Sequence, residues 1–322
     1  MCILENGEIE IMDLAIIAAK QVLEMFLMIL AGFICFKTGA IRQEGKKALS
    51  DLLLYLVVPA MIVNSYLVEH DSSMTGNLVR MLIYSILMVG TGLVITYAVL
   101  FSKKNKDRGI MRFACGFSNA AYMGFPLISA LFGDTGIMFA SAYITVFNIL
   151  LWTVGYMFFA NIKSPRQILL AIAKCPPIIG VGIGLILYIG NIRIPEFLAD
   201  PINIAGAMNT PLSMIITGIT VAETDVRCIL KDKNLWIAVL VRLILIPCIC
   251  TAVFVLFHFS GIPAVVCLIL EACPAAAITT MLAFQYGKDQ QYAAGLVVVS
   301  TLLSIVSLPM YAVIIQWCGV FV

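Results

Sequence analysis

Four ionisable residues, Lys20, Glu24, Arg242 and Glu271, lie inside long apolar stretches of this 322-residue sequence. An ionisable group at mid-bilayer costs roughly 2.5–3.5 kcal/mol on insertion scales, which makes each of them a candidate for function. Lys20 and Glu24 are four residues apart, on one helical face, and can neutralise each other there. Arg242 can snorkel toward the nearer membrane surface. Glu271 is the sharpest candidate, because it stands three residues before Pro274 with no basic neighbour in its own stretch. A carboxyl in that position suits a proton carrier, or an Na⁺ ligand together with the oxygens of Ser118 and Asn119. The competing reading is a neutral glutamate hydrogen-bonded for structure.

The segment around Asn119 reads Gly116-Phe-Ser-Asn-Ala-Ala-Tyr-Met-Gly-Phe-Pro126, and the one after Glu271 reads Ala272-Cys-Pro-Ala-Ala-Ala277. Proline removes one helical hydrogen bond and clashes with the carbonyl four residues back. In lipid the freed groups must find protein or water partners, so irregular backbone belongs at a cavity or a buried interface. Proline is also favoured at the first position of a helix. Each segment is therefore expected to unwind and restart at its proline, with two positive helix ends directed at mid-membrane. Such a place attracts an anion. The alternative is a pair of simple kinks filled by neighbouring side chains.

The elements that must position these residues are membrane helices. Hydrophobic residues make up 62% of the chain and charged ones only 12%, against about 25% charged in a soluble domain. Runs of about 20 apolar residues, the length that crosses the hydrocarbon core, recur from end to end. No soluble domain of any size fits between them, and this composition excludes a nucleic-acid partner. The ten cysteines lie mostly within apolar runs, as small buried hydrophobes do, and none has metal-ligand spacing with His70 or His258. An enzyme is not expected, since no acid pair, Ser–His pair or metal motif is present at membrane depth. The acidic N-terminus lacks the basic region of a signal peptide, so the first helix is expected to be retained.

Apolar windows give ten spans, at 14–36, 49–67, 78–101, 112–132, 136–161, 168–189, 197–220, 235–257, 263–286 and 293–317. Alternate loops on one side hold 16 of the 20 basic residues, whereas the other side holds 2, Arg80 and Arg193. By the positive-inside rule the rich side is cytoplasmic and both termini lie outside. The expected location is the plasma (inner) membrane, crossed many times.

Five spans followed by five of opposite orientation make an inverted repeat, a common transporter plan. Pro59 and Pro211 lie 152 residues apart, Pro126 and Pro274 lie 148 apart, and Ala140 and Ala294 lie 154 apart. Matching turns, Phe132-Gly-Asp134 and Tyr286-Gly-Lys-Asp289, close the fourth and ninth spans. The expected fold is all-α, with repeats over residues 1–162 and 163–322 in one transport unit and with spans 4 and 9 broken.

Several of these runs resemble the auxin efflux carrier family, in the prokaryotic branch with malate and malonate permease-like members. They are Tyr55-Leu-Val-Val-Pro-Ala-Met-Ile, Ser118-Asn-Ala-Ala-Tyr-Met-Gly-Phe-Pro-Leu, Pro211-Leu-Ser-Met-Ile-Ile-Thr-Gly, Pro274-Ala-Ala-Ala, Gln285-Tyr-Gly-Lys-Asp and Ser300-Thr-Leu-Leu-Ser. The resemblance covers all ten spans and is most specific at Ser118–Leu127. It implies that spans 1, 2, 6 and 7 form one domain and that spans 4 and 9 cross at their prolines in the other. It also implies that an organic anion binds beside the crossing and moves by an elevator-like alternation. Asn119, Pro126 and Pro274 match the family pattern, whereas Glu271 has no assigned family position. The short connection between spans 5 and 6 departs from the long loop of plant relatives.

The expected function is thus a secondary transporter for a small organic anion, a carboxylate. The alternatives are a cation–proton antiporter and a membrane sensor that does not transport. The candidate substrate-binding residues are Ser118, Asn119, Gly124, Pro126, Cys273, Pro274 and Ala275. Glu271 is the ion-coupling candidate, and Lys20, Glu24 and Arg242 are secondary. No cofactor or metal is expected beyond H⁺ or Na⁺ coupling. The partners are the anion and the lipid bilayer, with the oligomeric state open, a homodimer included.

Overall fold

The computed structural model describes residues 11–67, 75–100, 107–159, 174, 176–225, 230–318 and 320. Among these residues the protein is helical throughout, with one isolated antiparallel β-bridge. In chain order the helices are α1 Ile11–Lys37, α2 Gln43–Ser65, α3 Thr75–Val99, α4 Arg108–Gly116, α5 Ala120–Gly133 and α6 Thr135–Phe159. There follow α7 Pro176–Ile189, α8 Glu196–Glu223, α9 Lys233–Leu256, α10 Ile262–Ala272, α11 Ile278–Gln285 and α12 Gln290–Trp317. Six described helices (α2, most of α3, α6, α8, α9 and α12) are long and apolar enough to cross a membrane. The outward side of α1 carries exposed Leu23, Leu27, Leu30 and Ile34 at helical spacing, while Met25 and Ile29 on its other side are buried. Apolar side chains turned outward in this way suit a lipid surround.

Three prolines are accommodated by widened turns. Five-residue π-helical stretches at Leu53–Val57, Ala120–Gly124 and Val241–Leu245 immediately precede the α-helical segments that carry Pro59, Pro126 and Pro247 near their starts. A π-turn shifts the backbone hydrogen bonding from i→i−4 to i→i−5. It thereby relieves the carbonyl that a proline ring would strike, and the chain stays helical through the residue. This corrects the expectation that spans 4 and 9 restart at their prolines. The fourth span breaks at residues 117–119, restarts at Ala120 and passes through Pro126 as helix. In the ninth span Pro274 lies within the break, and the helix resumes at Ile278.

Glycines bring α1, α2, α7 and α8 into backbone contact. A Cβ added at Gly32 on α1 would strike the Ile215 carbonyl on α8, and one at Gly218 on α8 would strike the Ile29 carbonyl on α1. The contact is reciprocal, each helix offering Ile-x-x-Gly to the other. Gly180 of α7 lies over Pro59 of α2, where a Cβ would be 3.1 Å from the proline Cα. Lipid supplies no hydrophobic drive between helices, so close approach through small residues is what makes them adhere. At the end of α5, Gly133 takes φ 57° and ψ −144°, which breaks the helix before α6 at the expected turn.

Candidate functional site

The two broken helices meet at their breaks. After α4 the chain is extended through Phe117, and after α10 it is extended at Cys273. Ser118 and Ala275 form the β-bridge, the Asn119 N–H donates to the Pro274 carbonyl at 2.7 Å, and the Ala276 N–H donates to the Phe117 carbonyl at 3.0 Å. Ser300 on α12 accepts from the Ala275 N–H at 3.1 Å. The backbone groups freed by unwinding thus satisfy one another inside the protein, as burial away from water requires.

Unwinding divides the crossing into two faces of opposite polarity. On one face the C-terminal ends of α4 and α10 converge, presenting unpaired carbonyls and partial negative charge. Arg242 of α9, only 1% exposed, fills that face. Its Nη1 donates to the Cys115 carbonyl at 2.8 Å and its Nε to the Cys273 carbonyl at 3.1 Å, while Nη2 donates to the Glu271 carbonyl. Nη1 also pairs with Glu271 Oε1 at 3.1 Å, and Tyr143 of α6 donates its hydroxyl to Glu271 Oε2 at 2.6 Å. Gly92 of α3 leaves room for this carboxylate, since a Cβ there would lie 3.0 Å from Oε1.

These contacts correct one expectation and complete another. Arg242 does not snorkel, and Glu271, which has no basic neighbour in its own helix, takes its counter-charge from a different one, 29 residues earlier. The sequence could not pair them, as nothing in the local spacing of either residue announces the other. Lys20 and Glu24 depart from expectation in the opposite sense. Both are exposed on α1, among the described residues no ion pair joins them, and neither belongs to the crossing.

On the other face, the N-terminal ends of α5 and α11 border a cavity of about 40 Å³ lined by Ser118, Asn119, Ala121, Tyr122, Ala276, Ala277 and Ile278. Phe147, Asn148 and Trp152 of α6 and Leu54 of α2 complete much of the wall. That volume holds a few waters at most. A vestibule of about 540 Å³ shares Leu54, Tyr122, Ala277 and Ile278 with it and carries Gln43, Glu44, Lys46, Lys47, Ser50 and Asp51. Lys46 is ion-paired with Glu223, which ties the start of α2 to the end of α8.

Of the seven candidate substrate-binding residues, Ser118 and Asn119 line the cavity. The Ser118 hydroxyl is buried with no hydrogen-bond partner. Gly124, Pro126, Cys273, Pro274 and Ala275 shape the crossing without lining that cavity. Gly124, for example, packs against Leu270, where a Cβ would collide. Two residues escaped the sequence reading. Tyr143 has no sequence signal that separates it from a core tyrosine. Asn209, 2% exposed, donates from Nδ2 to the Ala121 carbonyl at 3.1 Å, and its Oδ1 is buried without a partner. An amide two residues before Pro211 in an apolar stretch was the available signal for it.

A membrane transport protein family matches residues 17–312. The chain belongs to that family, the auxin efflux carriers. An uncharacterized transporter of Methanothermobacter thermautotrophicus is 25% identical to this carrier-family chain over 306 residues, covering 92% of the chain and 98% of the relative. An uncharacterized transporter of Methanocaldococcus jannaschii is 23% identical over 301 residues, covering 90% and 96%. The protein is thus a multi-pass membrane protein of a transporter family.

Proposed function

We propose that this family member is a secondary transporter that carries a small organic anion, a carboxylate, by elevator-like alternating access. The observation that carries the reading is the convergence of the α5 and α11 N-termini on a cavity lined by Asn119 and by Ser118, whose hydroxyl is buried without a partner. Helix N-termini offer free N–H groups and partial positive charge, the complement of a carboxylate. Ser118 and Asn119 add neutral polar groups that fix orientation and select for size. The small cavity and the larger vestibule support a protein accessible from the side of Lys46 and Lys47. By the distribution of basic residues that side is the cytoplasm of an inner-membrane protein with both termini outside. In this reading ten crossings form two inverted repeats, residues 1–162 and 163–322, with α4–α5 and α10–α11 as paired broken spans. The contacts among α1, α2, α7 and α8 would form the scaffold, against which the crossing slides.

Arg242 and Glu271 are the only fully charged residue types among the described buried polar groups, and they occupy each other. A cation–proton antiporter would be better served by carboxylates facing the cavity, so no observation favours that reading over an anion carrier.

The reading is tested by melting purified protein against mono- and dicarboxylates of graded length, with the corresponding amides as controls. A rise in Tm with one carboxylate class and none with its amide is expected. Stabilisation by amides or amines in preference to carboxylates would overturn the anion assignment.

A further inference from the structure

The Arg242 guanidinium does chemically what a bound metal cation does. It sits among the Cys115, Glu271 and Cys273 carbonyls and one Glu271 carboxylate oxygen, all drawn from the C-terminal ends and unwound residues of two half-helices. Carbonyls of that kind are the groups that coordinate Na⁺ in broken-helix transporters. Here they are already taken by a planar cation whose donors match them one by one. Guanidinium is permanently charged and pre-organised for such a fork of acceptors. It is fixed by covalent attachment to α9, and neither ligand nor ion gradient has to deliver it.

We propose that Arg242 is the resident cation of the crossing, a positioning residue that holds the α4 and α10 ends together and makes the opposite, ligand-facing side independent of Na⁺. Removing the side chain leaves oxygens only, three carbonyls and a carboxylate, around the vacated space. Hard cations take oxygen ligands. The Arg242→Ala protein should therefore acquire a sodium response that the natural protein lacks. A purely structural arginine predicts loss of stability with no such gain. The proposal concerns the brace behind the crossing, so its stability arm stands whatever the substrate proves to be; only its binding arm rests on the anion-carrier reading.

The test compares the melting of full-length purified protein in sodium chloride and in choline chloride at equal ionic strength. The wild type should melt at the same temperature in both. Arg242→Ala should melt lower than wild type in choline and recover part of the difference in sodium. Arg242→Lys keeps a cation with three donors, and should remain folded and insensitive to sodium even if the alanine variant cannot be purified. Where a stabilising carboxylate has been identified, its affinity for the wild type should not change between the two salts. A wild type or Arg242→Lys protein stabilised by sodium over choline would overturn the proposal. A folded Arg242→Ala protein with no sodium response would do the same.

Discussion

Glu271→Leu is expected to destabilise the protein by about 3–5 kcal/mol, the usual cost of removing one partner from a buried ion pair. The loss exceeds that of a hydrogen bond because Arg242, 1% exposed, is left as an uncompensated charge away from water. The Tyr143 hydroxyl loses its acceptor at the same time. The double variant Arg242→Leu/Glu271→Leu should cost much less than the sum of the two single changes. It removes both charges, though it still abandons the Cys115 and Cys273 carbonyls and the backbone carbonyl of residue 271. Unfolding free energies of the four proteins in one detergent check this as a double-mutant cycle. Glu271→Gln distinguishes a brace from a proton carrier. Glutamine keeps the size and an acceptor but not the countercharge, so stability, substrate exchange and accumulation should all fall together. A Glu271→Gln protein of normal stability that exchanges substrate but fails to accumulate it would instead support the coupling role expected from the sequence.

Asn119→Ala should act on the opposite face with the opposite profile. The structural bonds of Asn119 are made by its backbone, from its N–H to the Pro274 carbonyl and from its carbonyl to the Met123 and Gly124 N–H groups. Alanine keeps all of them, so Tm should stay near wild type. What is lost is the side-chain amide of a residue that lines the cavity. A hydrogen bond to a charged ligand is worth about 1.5–3 kcal/mol, or roughly ten- to a hundredfold in Kd. Binding of the stabilising carboxylate should weaken by that factor, measured by titration in detergent. A collapse in stability with unchanged affinity in the surviving protein would make Asn119 a structural bridge instead.

What the sequence disclosed follows a physical division between local and distant contacts. The helical class and the breaks near Asn119 and Pro274 were legible because hydropathy, proline and glycine act within a few residues of themselves. The fourth break lies N-terminal to the expected restart at Pro126. The π-turn at Ala120–Gly124 absorbs that proline, and Ser118–Asn119 unwinds instead to pair with Ala275 and Pro274. Pairing across 29 residues decided the fate of Glu271 and Arg242, and neither local spacing nor a charge count could reveal it. Lys20 and Glu24 had the better local pattern, yet both are exposed on α1 with no ion pair between them.

The most direct test of the account is counterflow in proteoliposomes. Vesicles holding purified protein are loaded with the carboxylate that raises Tm most, then diluted into a trace of the same compound carrying a radiolabel. A carrier with one site at the crossing should concentrate label transiently inside the loaded vesicles, and Asn119→Ala should reduce that overshoot at low substrate concentration. Label that binds to the protein without entering the lumen, at equal levels in loaded and unloaded vesicles, would contradict transport and leave a receptor.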